Sequence, residues 1–329
     1  MSKDDFALEA RAAWLYYKGG LTQGEVAEKL GVSSVRVHRL IARAATAGIV
    51  KITVQGSITE CVALEEEIKR LYGVPDCRVV PELPDAADPF RAIGAEAAEM
   101  LSTAIESGVH AIIGLGHGRS IASAIDQLPQ LTPGGRLSIV SLLGGVPHQR
   151  RASTFDVIYR LAGKTGAEAW VMPVPLFADT SSAAHTIAAQ RSIAETLRLG
   201  AESSLSLVGI GEVTGTASLI AAHAIEEDDA RTLRSAGAVG EILGHYYDAE
   251  GHPVEGPIAK RVIAVAPKSL SRGLVAMASG AQKVAAIASI LATGHLKGLI
   301  TDEPTATALV AFANRVKPAK RKSASTRGS

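Results

Sequence analysis

The sequence predicts a small helical head followed by a long α/β body with a mainly parallel sheet in three layers. Two patterns predict this. Ahead of Val50, apolar residues recur at helical spacing in three short runs, with a glycine between the second and third. From about residue 75, short apolar stretches alternate with Ala-rich helical ones, the signature of βαβ units. The composition agrees: in 329 residues, 47% are hydrophobic but only 4% aromatic, so Ala, Val, Ile and Leu supply the core. Disordered, collagen-like and disulfide-built chains are excluded. The expected division is a helix-turn-helix domain over 1–57, a linker helix over 58–74, an α/β domain over 75–314 and a disordered basic tail over 315–329.

In the head, Phe6, Leu8, Ala12, Ala13, Leu15 and Tyr16 predict a helix over 5–18 that stops at Gly19-Gly20. Thr22 caps a second helix, and Glu25 completes a T-x-x-E capping box. Val26, Ala27 and Leu30 form its buried side, and Gly31 ends it in a left-handed turn. Ser33 or Ser34 caps a third helix, with Val37, Leu40 and Ile41 inward. Helix, glycine turn and helix make a helix-turn-helix arrangement or an ordinary helical hairpin. The third helix separates the two. Its outer face carries Ser33, Ser34, Arg36, His38, Arg39 and Arg43, and no acid occurs between Ser33 and Lys51. Arginine grips phosphates and the O6/N7 edge of guanine. These residues, with Thr22 and Gln23 at the start of the second helix, are the candidate DNA contacts. A net charge of +1 makes this footprint local.

Val50 to Val54 alternates like a short strand, either a wing or a spacer. Cys61, Leu64, Ile68 and Leu71 then form a helical stripe that pairs subunits or packs a core. Strands are expected at Ala111–Leu115, Ser138–Leu142, Trp170–Val174, Leu205–Ile210, Leu274–Ala278 and Leu299–Thr301. Several end in Gly-rich turns, and ligands of open α/β sheets bind beyond the carboxyl ends of the strands. The turn Gly116-His117-Gly118-Arg119-Ser120 is no dinucleotide fingerprint, because Arg119 stands at the third glycine position. It leads into a helix N-terminus, which suits an anion, or is a tight turn without a ligand. The pattern recurs at Gly280, with Lys283 in the first helical turn. Cations so placed oppose the helix dipole. Two of them point to an anionic or polyhydroxylated ligand, unless Lys283 is solvated or paired with an acid. Glu241 offers an acceptor for sugar hydroxyls or is a surface carboxylate; Asp248 to Gly251 reads as a turn, and Asp302-Glu303 as a helix cap.

No catalytic set emerges. Cys61 and Cys77 form no CxxC, nine histidines show no ligand spacing, and no G-x-S-x-G occurs, so neither metal nor cofactor is expected. The N-terminus lacks the basic and apolar stretches of a signal peptide and no apolar run is long enough to span a membrane, which predicts a cytoplasmic protein.

These residues resemble the SorC/DeoR-type sugar-responsive transcriptional regulators over almost the whole chain. The head RAAWLYYKGGLTQGEVAEKLGVSSVRVHRLIARA resembles the family's DNA-binding segment. In the body, GLGHGRS, SLLGG, GIGEV, GAVGEILGHYYDAEG, SGAQKVAAI and LITDEPTA follow the family's order and spacing. Within it the chain is similar to polyol-catabolism regulators of the erythritol type, through RAAWLYY, KTGAEAWVMPVP and HRLIARA. The resemblance implies a homotetramer whose body is related in fold to ribose-phosphate isomerase and glucosamine-phosphate deaminase. Its partners would be operator DNA and a small carbohydrate effector: a sugar, polyol or phosphate ester. The effector site carried over comprises Gly116, Gly118, Arg119 and Ser120, Gly144 and Gly145, Gly211, Glu241, Gly280 and Lys283. There are departures: Glu241 replaces the usual Asp, Ser279 stands where Gly is commoner, and Leu143 stands where some relatives carry a lysine, so no imine with an aldehyde sugar forms there. The expected function is regulation of a carbohydrate, specifically polyol, catabolic operon; the alternative is a sugar-phosphate isomerase- or deaminase-like enzyme with an appended head.

Overall fold

A computed structural model describes residues 3–50, 59–82, 90–146, 157–214, 219, 224–270 and 272–325. The chain divides into two compact units, Met1–Gly56 with Gln127–Leu131, and Ser57–Asp126 with Thr132–Ser329.

In the head, α1 (Lys3–Ala13) is prolonged by a π-turn over Trp14–Lys18. It closes where the Gly19 N–H donates to Trp14 O at 2.9 Å. A Cβ at Gly19 would sit 2.5 Å from Leu15 O, which is why glycine ends the helix. The capping box on α2 (Gln23–Leu30) forms as expected: the Glu25 N–H donates to Thr22 Oγ1 at 3.3 Å, and the Thr22 N–H to Glu25 Oε2 at 2.8 Å. Gly31 adopts φ 63°, the left-handed turn. Ser33 Oγ then accepts the Arg36 N–H at 3.3 Å and starts α3 (Ser34–Thr46). Ala12, Val26, Ala27, Val37, Leu40 and Ile41 make the core. Phe6 is 49% exposed, against expectation. The inward stripe runs through Leu8, Ala12 and Leu15, and Phe6, two residues before Leu8, points about 200° away. Residues 51–54 of the expected wing lie outside the described residues.

The body opens with α4 (Thr59–Tyr72), which buries Cys61 and Ile68 in the main core. Its stripe is core packing. Next come β1 (Asp76–Val80), α5 (Arg91–Ser107), β2 (Ile112–Leu115), α6 (Arg119–Gln127) and β3 (Ser138–Ser141). The chain continues through α7 (Val157–Thr165), β4 (Glu168–Trp170), α8 (Ser181–Ala188), α9 (Arg191–Ala201) and β5 (Leu205–Gly209). A small sheet is then made by β6 (Gly211–Glu212), β7 (Gly240–Ile242) and β8 (His245–Tyr247), with α10 (Glu227–Ser235) between its first two strands. The last elements are β9 (Leu274–Met277), α11 (Val284–Ala292), β10 (Gly298–Asp302) and α12 (Glu303–Ser325).

Seven strands form a wholly parallel sheet in the order β1-β10-β9-β5-β2-β3-β4. Every residue of β9 is buried, as are all but the last of β5 and β10, so helices cover both faces and the three layers hold. From β2 the chain steps outward to β3 and β4, then returns to the other side of β2 with β5, β9 and β10. The order reverses between β2 and β5, and it is beyond the carboxyl ends of strands at such a point that open α/β sheets bind ligands.

Four expectations are corrected. The strand expected at Trp170–Val174 is instead Glu168–Trp170, because Pro173 and Pro175 have no N–H for a ladder. Strand β1 was not expected; it lies at the sheet edge, with charged Asp76 and Arg78 between buried residues. The antiparallel sheet was not expected as strands either. Its hairpin turns on Leu243 and Gly244, at φ 54° and 77°, while Asp248 to Gly251 makes a second turn. Residues 315–325, expected to be disordered, continue α12 as helix; Ala, Lys and Arg favour that state. Asp302 Oδ1 caps that helix as expected, accepting the Thr305 N–H at 2.9 Å. Among the described residues, no helix is long and apolar enough to cross a membrane and no cluster of His, Cys, Asp and Glu could hold a metal ion.

Candidate functional site

On α3, Val37, Leu40, Ile41 and Ala44 face the core. At 100° per residue the opposite face centres on Val35, Arg39, Ala42 and Thr46, all exposed. Arg36 and Arg43 flank it on one side, Ser34 and His38 on the other. Val35 is 66% exposed and was missed by the sequence reading. The signal was there: it is an apolar residue out of register with the buried stripe, and such a side chain suits a thymine methyl. The Thr22 hydroxyl is engaged by its own cap, since it also donates to Glu25 Oε2 at 2.8 Å. Gln23 follows, half-buried, as the first residue of α2. Arg43 stands apart, its Nη1 lying 3.6 Å from Oε1 of Glu9.

In the body, the first Gly-rich loop leaves β2 at the point where the sheet order reverses. The Gly116 N–H donates to Leu207 O of β5 at 2.9 Å, which ties this loop to the neighbouring strand end. A Cβ on Gly116 would come within 3.3 Å of Val208 Cα, so a larger residue would press the two strand ends apart by a few tenths of an ångström. Gly118 takes φ 131° and α6 begins at Arg119. The guanidinium of Arg119 lies over the Phe90 ring, 5.1 Å from its centroid, and the side chain of Ser120 is buried.

Lys283 and Glu241 meet beside the β5 end. Lys283 Nζ donates to Ile210 O at 2.9 Å. Glu241 pairs in register with Gly211, and a Cβ on Gly211 would run into its Oε2. Its Oε1 accepts the Gly244 N–H at 2.5 Å, from the strained turn where Leu243 has positive φ. Burial holds the Glu241 carboxyl at about 7, against the pull of the Gly244 N–H and Lys283. Burial lowers the Lys283 ammonium, while Glu212 and Glu241 oppose that shift and Arg119 adds to it. Arg119, Lys283, Glu212 and Glu241 therefore form one electrostatic set. Glu212 was not singled out in the sequence, yet its Oε2 is buried without a hydrogen-bond partner. The Ile210 carbonyl takes up the ammonium directly, and the nearby Glu212 and Glu241 charges favour it, which is how a cation is tolerated there.

The remaining candidates differ in kind. Gly144 and Gly145 already have their N–H groups engaged, by Ile263 O at 2.9 Å and Val174 O at 2.7 Å. A Cβ on Gly144 would lie 2.5 Å from Pro175 O, so this glycine serves chain packing. Gly280, at φ 115°, donates its N–H to Thr305 Oγ1 at 2.8 Å. Its helix does not start there: Ala281–Lys283 form a 3₁₀ turn and α11 begins at Val284. The Lys283 N–H is taken up by Gly280 O at 2.9 Å, so the turn presents fewer free donors than an α-helix N-terminus would.

A helix-turn-helix head with a basic outer face, carried on a parallel α/β body with a charged polar site at its sheet switch point, defines a ligand-responsive DNA-binding regulator. Residues 56–311 match the family described as "Putative sugar-binding domain", and the chain belongs to that SorC/DeoR-type family. It is 42% identical over 316 residues to the "Erythritol catabolism regulatory protein EryD" of Brucella abortus, covering 95% of this chain and 99% of that one. It is 28% identical over 313 residues to the "Transcriptional regulator LsrR" of Klebsiella pneumoniae, covering 93% and 94%. The fold matches the full-length sorbitol operon regulator SorC from Klebsiella pneumoniae with a TM-score of 0.72 at 24% identity, covering 94% of this chain and all of that one. The matches to EryD and LsrR extend over nearly the whole of both chains, so the chain is a sugar-responsive transcriptional regulator, and the alternative of an isomerase- or deaminase-like enzyme falls.

Proposed function

We propose that the protein controls a polyol catabolic operon, and that a small carbohydrate held over the carboxyl ends of β2, β5 and β9 sets its affinity for operator DNA. One observation carries this reading: Lys283 is anchored on Ile210 O and Glu241 stands opposite Gly211, just past the β5 end, with Glu212 and Arg119 near enough to act on the Lys283 charge. Buried carboxylates accept from ligand hydroxyls, and the two cations donate to hydroxyl or phosphate oxygens. The name of the Brucella relative favours a four-carbon polyol or its phosphate as effector. Ser120 and the loop through Gly116 and Gly118 close one side of the site; Gly211 and Gly280 let the backbone approach from the other. Gly144 and Gly145 shape its wall.

In the head, Arg36, His38 and Arg39 meet the major groove, with Ser33, Ser34 and Val35 at the entering end of α3 and with Thr22 and Gln23 beside the backbone. The protein acts in the cytoplasm as a homo-oligomer, a tetramer, on an inverted-repeat operator. The ligand shifts operator affinity by the difference in its binding to the two states.

Two variants test this separation. Arg36→Ala with Arg39→Ala weakens operator binding by at least about tenfold and leaves effector binding intact, at about 1–3 kcal/mol for each base-reading arginine. Lys283→Ala loses effector binding and keeps operator binding. Unaltered effector affinity in Lys283→Ala removes that lysine from the site.

A further inference from the structure

Among the described residues, Glu9 is the only charged side chain with no exposed surface. Neither of its carboxylate oxygens has a hydrogen-bond partner. It lies in α1, among residues that pack α1 on α3, and its ion pair is with Arg43 at 3.6 Å, an arginine whose side chain is 70% exposed. Water is excluded on the carboxylate side of this pair, which strengthens the attraction, while the arginine side stays wet. Arg43 shares a flank of α3 with Arg36, so it sits where a DNA phosphate would otherwise find a partner.

We propose that Glu9 is a positioning residue that withholds Arg43 from the DNA backbone. The carboxylate competes with phosphate for one guanidinium, and in the native chain the carboxylate keeps it. Arg36 and Arg39 stay available to read bases, while the sequence-independent part of DNA affinity falls by one phosphate contact per subunit. Discrimination rises at the cost of raw affinity. This rests on α3 being the helix that enters the groove.

The test is the salt dependence of binding to a labelled random-sequence duplex, measured by anisotropy on the full chain. Glu9→Gln frees Arg43: binding tightens, and the slope of log K against log salt steepens by about 0.9 per subunit, or roughly threefold in affinity between about 50 and 200 mM salt. Arg43→Gln alone leaves the slope as it was, and in the Glu9→Gln background it reverses the steepening. Circular dichroism melts confirm that each variant keeps its fold. If Glu9→Gln does not fold, Arg43→Gln in the native chain still decides. An unchanged slope supports the proposal; a flatter slope shows that Arg43 already contacts phosphate and overturns it. Equal effects of Glu9→Gln with and without Arg43 overturn it too. Arg36→Ala with Arg39→Ala in the same titration separates the underlying reading: native-like binding by that variant means that α3 does not enter the groove at all.

Discussion

Burial sets Glu241 apart from an ordinary carboxyl. Its carboxyl, held at about 7 by burial, keeps a proton that the unfolded chain has already released near its ordinary 4.5. Between those values the folded state binds more protons, so stability falls as pH rises through that window and levels off above about 7. At about 1.4 kcal/mol per unit, the fall amounts to a few kcal/mol at most. The His245 imidazole, pushed down to about 4 by burial, works in the opposite sense up to about 6.5. The test is therefore the difference between two chains: in thermal melts from about pH 5 to about pH 8, native stability falls relative to that of Glu241→Gln. A ligand whose hydroxyls donate to the ionised carboxylate binds more tightly above pH 7 than below it, and that dependence also vanishes in Glu241→Gln. Gly211 is the matching backbone residue, since any Cβ there displaces the carboxylate. Gly211→Ala is expected to cost at least about tenfold in effector affinity while operator binding stays native. If ligand titrations show no change, the carboxylate has room to move and the pairing of Gly211 with Glu241 does not shape the site.

Individual elements show how far the sequence can be read. The head was legible almost to the residue, because its signals are local: the Thr22–Glu25 box, the glycine at Gly31 and the cap at Ser33 each fix a helix end from three or four neighbours. Thr22→Ala removes one side of that box and is expected to cost about 1 kcal/mol of head stability in a denaturant melt, with Glu25→Ala costing less. Central strands were legible as apolar runs, and the loops after β2 and β5 followed from them. What escaped depends on contacts distant in sequence. Strand β1 is recognisable only beside β10, more than two hundred residues later, through the register Asp76 to Gly298. The β7–β8 hairpin was hidden because Leu243, a residue that disfavours positive φ, takes one of its two turn positions. In the candidate site, Arg119 and Lys283 are proposed from glycines and charges at strand ends, and Glu241 from the acid- and aromatic-rich stretch Gly240 to Gly251. Glu212 was not, since a single acid after a strand looks like any surface carboxylate until the fold buries one of its oxygens. Gly144-Gly145 shows the converse ambiguity: paired glycines after a strand look like a ligand loop, yet Gly144 is also required by the close approach of Pro175 O.

At the scale of the whole molecule, two units with separate cores divide the work. The head carries its basic helix on a core of small and branched apolar residues. The body places a charged set where the strand order reverses, the position at which parallel α/β folds bind ligands. Ligand binding at about a hundred times Kd stabilises the body by roughly 2.7 kcal/mol, so a thermal-shift screen of polyols, sugars and their phosphates reports occupancy directly. The central claim is that occupancy of this site changes operator affinity. The most direct test is anisotropy of labelled promoter DNA from the protein's own operon, titrated with protein at fixed salt, alone and with erythritol or its phosphate. Sequence-preferring binding is predicted, shifted by one of these compounds in the native chain and unshifted in Lys283→Ala. Binding without sequence preference, indifferent to every compound in the panel, would contradict it.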